Sequence, residues 1–374
     1  MHFLVIGNPE NRRLHSFIVE VDALKECSHS VISYIDLLDD KVKLDNYIRP
    51  NTVVKIDSPG ENQTVRKKLI EYGKINIQHI NNAFLSEFGR ICYQDEWYRG
   101  FFSFLLDLKD KFSPFKLHFM NSIDSILIMF DKVETKKLLN QNKILTPIAL
   151  DNIYNYTELR NQMFNKKIHN VFIKPAHSSS ASGVIAFRTQ GSFVKAISSV
   201  ELISDQGDVR FYNSLKVRTY TDEKSIITLI NNFLLGKVSL EQWIPKASFK
   251  GLSFDFRVVV INGKARHIVA RTSKSPITNL HLGNARGNLS EIVTHISNER
   301  FESIKAVAEN VAKCFPDCLY LGIDVLISAN LRHIMVLEVN AFGDLLPNLI
   351  DDGETVYEAQ IKASIQKWSK HETI

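Results

Sequence analysis

Three oxygen-bearing side chains stand on strand-forming sequence near the end of this 374-residue chain: Asp324 in YLGIDVLI, and Glu338 and Asn340 in IMVLEVN. A polar loop, SANLRH, separates the two apolar runs, and Asp324 and Glu338 each lie seven residues from its Leu331. If the runs pair as a hairpin centred there, Asp324 and Glu338 are cross-strand neighbours, with Asn340 diagonal to them on the same face. Leu321, Ile323, Val325, Leu337 and Val339 then point to the other side. Converging carboxylates repel one another unless something positive lies between them. Mg2+ suits such a set, because it takes one or two carboxylates and fills its shell with phosphate oxygens and water. The hairpin reads either as a Mg2+–nucleotide site or as an acidic, solvated sheet face.

Other stretches offer complementary chemistry. In VFIKPAHSSSASGV (171–184) a buried-looking strand ends in Lys174 and runs into tiny residues, among them Ser179, Ser180 and Gly183. Small residues let backbone N–H groups approach phosphate oxygens, and a lysine adds a point charge. It is not the Walker pattern. A serine-rich linker is the competing reading, but a linker would not have a strong strand on each side. The extended segment Glu241-Gln242-Trp243-Ile244 could present alternating backbone groups to an adenine edge. Arg257 and Arg271 stand in apolar strands on the two arms of an Asn262-Gly263 turn, so each must face a ligand anion or a carboxylate such as Asp255 or Glu338. TNLHLGNARG adds Asn279 and Arg286, and Ser58 and Gly60 follow an early strand, where ligands of parallel sheets bind, although a plain Pro-Gly turn is the simpler explanation. Arg99 sits among large apolar neighbours, from which it could snorkel to water.

The elements that must position these residues fall into two textures. Residues 1 to about 118 alternate short strands (FLVIG, VISYI, TVVKID) with helices, as a parallel α/β sheet requires. One of these helices, NQTVRKKLIEYG, is expected to stop at a left-handed Gly73. QDEWYRGFFSFLLDLKDKF (94–112) reads as an aromatic-rich packing helix. After a helix at DKVETKKLLNQNKI the strands lengthen, Asn262-Gly263 marks a two-residue hairpin, and helices are expected near 222–235, 298–314 and 354–369. This second part reads as α+β on antiparallel sheets.

Composition limits the rest. The chain is 44% hydrophobic, enough for two or three cored domains. Its net charge of +5 comes from scattered basic doublets, which read as solvated helix faces rather than a nucleic-acid footprint. The opening MHFLVIG is expected to be a first strand, not a signal peptide, and no apolar stretch is long enough to span a membrane. Cys27, Cys92, Cys314 and Cys318 show neither CxxC nor zinc spacing, so reduced thiols in the cytoplasm are expected.

In their order along the chain, these pieces resemble the ATP-grasp superfamily, in particular the branch near glutathione synthetase and the ribosomal-protein glutamate ligases. The resemblance covers about residues 120–374 and is most specific in GIDVL…LEVN. It implies an N-terminal parallel α/β domain (1–118), a central ATP-grasp subdomain with the phosphate loop (119–240) and a C-terminal subdomain with the metal site (241–374). It implies ATP and Mg2+, or Mn2+ in its place. Lys132 and Lys174 would contact the α- and β-phosphates, residues 241–244 would hold adenine, and Asp255, following Lys250-Gly251, would face the ribose or adenine end. Arg257 and Arg271 would face the γ-phosphate and the acyl-phosphate, and Asp324, Glu338 and Asn340 would bind two metal ions. The implied reaction is carboxylate activation as an acyl-phosphate, captured by an amine, hydroxyl or thiol, with ADP released. The partners would be a small carboxylate and an amine acceptor, or a peptide. No nucleic acid or membrane is implied, and a homodimer is compatible. The sequence departs from the family in a glycine-poor 177–183 loop, in NAFGDLLPN after the asparagine and in NARG after NLHLG, changes that touch the lid and the acceptor side. A peptide-modifying ligase, a non-catalytic nucleotide-binding module and a hydroxyl kinase are the other readings.

Overall fold

The run HFLVIG has no polar face to offer water, and all six residues of β1 (His2–Gly7) are buried in the computed structural model of the chain. That model describes residues 1–60, 62–73, 87–179, 181–205, 208–342, 346 and 349–369. Strand β1 is central in a parallel four-stranded sheet of order β2-β1-β3-β4, with β2 at Ser28–Ser33, β3 at Thr52–Ile56 and β4 at His118–Phe119. Helices α1 (Arg12–Asp22), α2 (Tyr34–Leu38), α3 (Gln63–Tyr72) and α4 (Gln94–Phe112) accompany it. The loops leaving β1 and β3 therefore lie side by side at the carboxyl edge of the sheet, where the first is bonded to the second through Asn8 Nδ2 and the Pro59 carbonyl (3.1 Å).

Gly73 is not the left-handed cap that its position after α3 suggests, since its φ is −66°. The glycine that matters there is Gly100 on α4. A Cβ at Gly100 would sit 1.6 Å from the Leu69 carbonyl oxygen, so α3 and α4 cross with their backbones in contact.

The apolar SILIMF run forms most of α5 (Ile123–Phe130), which turns through Asp131 into α6 (Lys132–Gln141). Asp131 is the N-cap of α6, accepting from the Val133 and Glu134 amides. Helix α7 (Tyr156–Asn165) then leads into an antiparallel sheet of order β8-β7-β6-β5-β9. Its strands are β5 (Asn170–Pro175), β6 (Ile185–Gln190), β7 (Phe193–Asp205), β8 (Asp208–Tyr220) and β9 (Val238–Gln242), and α8 (Glu223–Phe233) packs into its core through Ile226, Leu229 and Ile230.

The last sheet has the order β13-β12-β11-β14-β15, with β10 (Ser248–Phe249) beside β11. Its strands are β11 (Leu252–Ile261), β12 (Lys264–Ser273), β13 (Ala285–Arg286), β14 (Tyr320–Ile327) and β15 (Ile334–Asn340). The Asn262-Gly263 turn between β11 and β12 has positive φ at both residues (49° and 76°), as a type I′ hairpin demands. In the β14–β15 hairpin Asp324 pairs with Glu338 and Gly322 with Asn340, which is the register expected from the loop centre at Leu331. Past Asp324, however, the register shifts, Val325 pairing with Val336, and Leu337 falls on the same side as Asp324 and Glu338 instead of the opposite face expected for it. Helices α9 (Leu289–Ile296) and α10 (Asn298–Lys313) cover this sheet. Helix α11 (Val356–Trp368) crosses back to α1, with Tyr357 edge-on to Phe17 at 6.1 Å and Thr355 Oγ1 donating to Glu20 at 2.7 Å. Among the described residues, no helix is long and apolar enough to cross a membrane.

Candidate functional site

The strand register decides which charged side chains meet. In the β5–β9 pair Lys174 lies opposite Ser239 and Phe172 opposite Glu241, so Lys174 and Glu241 are diagonal neighbours on one face. Lys132 and Lys136, one turn apart on α6, approach the same face. Lys136 and Lys174 both donate to Glu241, which is only 1% exposed. Lys132 donates to the Ser178 carbonyl and stands 3.3 Å from a Glu338 oxygen.

In the last sheet, Asp255 pairs with Arg271 across β11–β12, and Arg257 pairs with Asp324 across β11–β14. The side chains follow this register in a chain of alternating charge. Lys246 Nζ reaches Asp255 at 2.7 Å, Arg271 Nε reaches Asp255 at 2.8 Å, Arg271 Nη2 reaches Asp324 at 3.2 Å, and Arg257 Nη2 reaches Asp324 at 3.3 Å. Thr278 also donates to Asp255.

Burial alone would raise the Glu241 carboxyl, but Lys136 and Lys174 outweigh it and hold the group at about 2. Burial likewise opposes ionisation of Asp255, and Arg271 and Lys246 overcome it, leaving Asp255 well below the usual carboxylate range. Arg271 pays the same burial penalty and is still pushed up by Asp255 and Asp324. The ionised state of this buried cluster is thus the stable one, and charges removed from water at such cost need an anion–cation balance on both sides.

Two spaces adjoin the cluster. A narrow slot of about 80 Å3 runs between the second and third sheets, with Phe172, Val184, Ile244, Ile277, Leu326 and Leu337 as apolar walls and Lys132, Lys174, Asp324 and Glu338 at one part of its lining. A wider chamber of about 400 Å3 opens beyond it and is lined by Lys132, Ser179, Arg257, Arg271, Glu338 and Asn340, with Ser58 and Gly60 from the first sheet. Lys132, Arg271 and Glu338 belong to both walls, so a ligand in the slot and one in the chamber would meet there. The oxygen donors on β14 and β15, two carboxylates and an amide, form a hard set that fits Mg2+. Among the described residues no three His, Cys, Asp or Glu side chains gather into a metal cluster; Glu338 lines the slot with Asp324 and the chamber with Asn340.

Most of the residues singled out in the sequence are brought together here. Glu241, Gln242, Ile244 and Asp255 line the slot, and Asn279 lines both spaces. Five do not line either. Lys250 is 68% exposed at the β10–β11 turn, where it pairs with Glu291. Trp243 turns its ring to Phe172, 5.6 Å away, instead of into the slot. Gly183, with φ of 75°, is required because a Cβ would lie 2.7 Å from Phe233 and 2.8 Å from Pro175. Arg99 is 62% exposed and faces Glu96 at 3.5 Å, and Arg286 is exposed at the edge strand β13. Ser180 lies outside the described residues.

Four positions at or beside these spaces were missed. Lys136 follows Lys132 by four residues on a helix, a spacing that could have revealed it. Arg13, on the chamber wall, follows the first strand just as Ser58 follows the third. His177 carries no local signal, because its partners come from distant segments, and Lys246 meets Asp255, nine residues on, only once the chain folds back into β11.

The YheC/D like ATP-grasp family model matches residues 123–359. No curated protein matches the chain in sequence. Among solved structures, the chain is similar to D-cycloserine synthetase DcsG (12% identity, TM-score 0.57, covering 97% of this chain and 99% of that one). It is similar also to macrocyclase MdnC bound with precursor peptide MdnA from Microcystis aeruginosa MRC (13% identity, TM-score 0.56, 98% and 100% covered). A third similar structure is the ATP-grasp ligase PsnB complexed with a minimal precursor, Mg and ADP (14% identity, TM-score 0.51, 97% and 98% covered). At these identities the likeness is one of fold.

Proposed function

Since the chain belongs to the YheC/D like ATP-grasp family, we propose that it is an ATP- and Mg2+-dependent ligase that activates a carboxylate and joins it to an amine, in the cytoplasm. The observation that carries this reading is the shared wall between slot and chamber. Glu338, Lys132 and Arg271 stand where a nucleotide's terminal phosphate and a second substrate would meet.

Adenine takes the apolar slot beside Gln242 and Ile244, and Lys132 and Lys174 face the phosphates. Asp324, Glu338 and Asn340 would hold the metal, which supplies charge neutralisation to the phosphates. Arg257 and Arg271 orient the substrate carboxylate and balance the negative charge that spreads over the transferring group. A carboxylate oxygen forms a bond to the γ-phosphorus as the bond to the ADP oxygen breaks. The acceptor amine then attacks the acyl carbon, loses its proton, and displaces inorganic phosphate. No protein nucleophile is required, and positioning with electrostatics provides the rate.

The test is ATP turnover with pooled carboxylates and amines, following ADP and trapping acyl-phosphate as a hydroxamate. Glu338→Gln should lower turnover by roughly 100-fold or more while the circular dichroism spectrum stays unchanged, as loss of a charge-stabilising group does. Full activity in that variant would sink the assignment. Tight nucleotide binding with no turnover in any pool would instead support a macromolecular substrate or a non-catalytic module.

A further inference from the structure

Among the described residues, Arg13 is the one lysine or arginine on the chamber wall whose side chain has no hydrogen-bonded partner. Lys132 has a carbonyl, and Arg257 and Arg271 have Asp324 and Asp255. The guanidinium of Arg13 forms no hydrogen bond among the described residues, and its buried Nε has no partner. Its nearest carboxylate oxygen, Asp57 Oδ1, is 3.6 Å from Nε and already accepts from the Ser58 amide, while Asp57 Oδ2 is buried with no hydrogen-bond partner, so neither group satisfies the other. A structural Arg–Asp pair closes as a fork at about 2.8 Å. This one does not close, although the Arg13 side chain is only 18% exposed.

The surroundings hold the group in place without neutralising it. Asn11 caps α1 by accepting from the Arg13 amide at 3.0 Å, and Asn8 ties this loop to the 57–60 turn. Behind Asp57 lies Lys55, fully buried, its ammonium 3.2 Å from the Tyr320 hydroxyl. One carboxylate thus stands between two cationic side chains. Across the chamber, among the described residues, the only lining carboxylate is Glu338, which the proposed metal engages. A partly buried guanidinium facing a polar space, with its backing anion shared, is set to take a planar oxyanion in bidentate fashion.

We propose that Arg13 binds a second oxyanion of the substrate, a carboxylate or phosphate distinct from the carboxylate that is activated. The substrate is then at least dianionic. Arg13 sets specificity: it fixes the far end of the substrate while Arg257 and Arg271 face the reacting end. This assignment rests on the ligase reading for the identity of the reacting end, and its test does not depend on turnover.

The experiment is calorimetric titration of the protein, with and without Mg2+ and a non-hydrolysable ATP analogue. The probes are unbranched α,ω-dicarboxylates of four to eight carbons, their matched monocarboxylates, and the matching ω-phosphonocarboxylates. For at least one length, the doubly charged probe should bind about tenfold tighter than the monocarboxylate, the worth of one charge-assisted pair. Arg13→Gln should remove that preference and leave nucleotide affinity unchanged. Arg13→Lys keeps the charge without the fork, should retain part of the preference, and serves as the folded comparison if Arg13→Gln does not fold. The tighter of the carboxylate and phosphonate series identifies the anion. Equal binding of singly and doubly charged probes at every length would overturn the proposal, as would a preference that survives in Arg13→Gln. Failure to bind nucleotide in the unaltered protein would count against the ligase reading alone, since the anion preference is also read in its absence.

Discussion

At the scale of single residues, Glu241 shows how the buried cations of the site are held. It is buried between Lys136 and Lys174, and replacing it by an amide takes from both ammonium groups the carboxylate they bond to. Glu241→Gln should destabilise the fold by about 3 kcal/mol in urea denaturation, the usual consequence of breaking a buried ion pair. The pH dependence has a definite sign. The Glu241 carboxyl is depressed to about 2 from an ordinary 4.5, so its stabilisation is complete above 4.5 and fades as pH falls toward 2. The variant should therefore show a shallower acid limb across that window. A variant as stable as the unaltered protein would show that the two lysines need no carboxylate. LEQWI drew attention to Glu241 as part of an adenine-contacting segment, and its pairing with two lysines was not legible, because Lys136 and Lys174 lie on different elements.

At the scale of elements, His177 joins three segments. It opens the serine loop, its Nδ1 lies 2.9 Å from Asp95 at the start of α4, and its Nε2 lies 3.2 Å from Asp131, the cap of α6. Tyr98 stacks on its ring at 3.7 Å. Burial tends to lower the imidazole pKa, but Asp131 and Asp95 prevail and raise it above its ordinary 6.5. A raised histidine stabilises fully below the unfolded value and loses that contribution as pH climbs through the folded one. His177→Gln should thus cost about 2 kcal/mol at pH 6, with the gap to the unaltered protein narrowing as pH rises above neutrality. A gap constant with pH would mean that the ring is held as a neutral group. Local signals located most elements: the Asn262-Gly263 hairpin, the parallel first sheet and the pairing of Asp324 with Glu338 all follow from short stretches. Gly73 was misread because a glycine after a helix is ordinarily left-handed, whereas the crossing at Gly100 depends on a neighbour thirty residues away in sequence.

At the scale of the whole molecule, the slot is walled by two sheets that share no hydrogen-bonded strand, so a ligand there bonds to both. Nucleotide with Mg2+ should stabilise the protein by about 2.7 kcal/mol at one hundred times its dissociation constant, raising Tm. Chelating the metal should remove most of that gain. A Tm unmoved by MgATP would contradict a site between the sheets. The meeting of the two sheets, and with it the alternating chain from Lys246 to Arg257, was not legible in the sequence. Period-two patterning says which face a residue takes, not which other sheet lies opposite.

The return of α11 onto α1 bears on the order in which the molecule can be completed. Phe17 and Val21 belong to a buried cluster that also contains Val356, Ala359 and Ile361, about 340 residues further on. A ribosome adds residues at about 5–20 per second. The cluster that Phe17 and Val21 begin with Phe3 therefore waits on the order of half a minute for the segment that completes it. Until then the first sheet is a nascent, half-dressed layer, exposed to whatever apolar surface it meets in the cell.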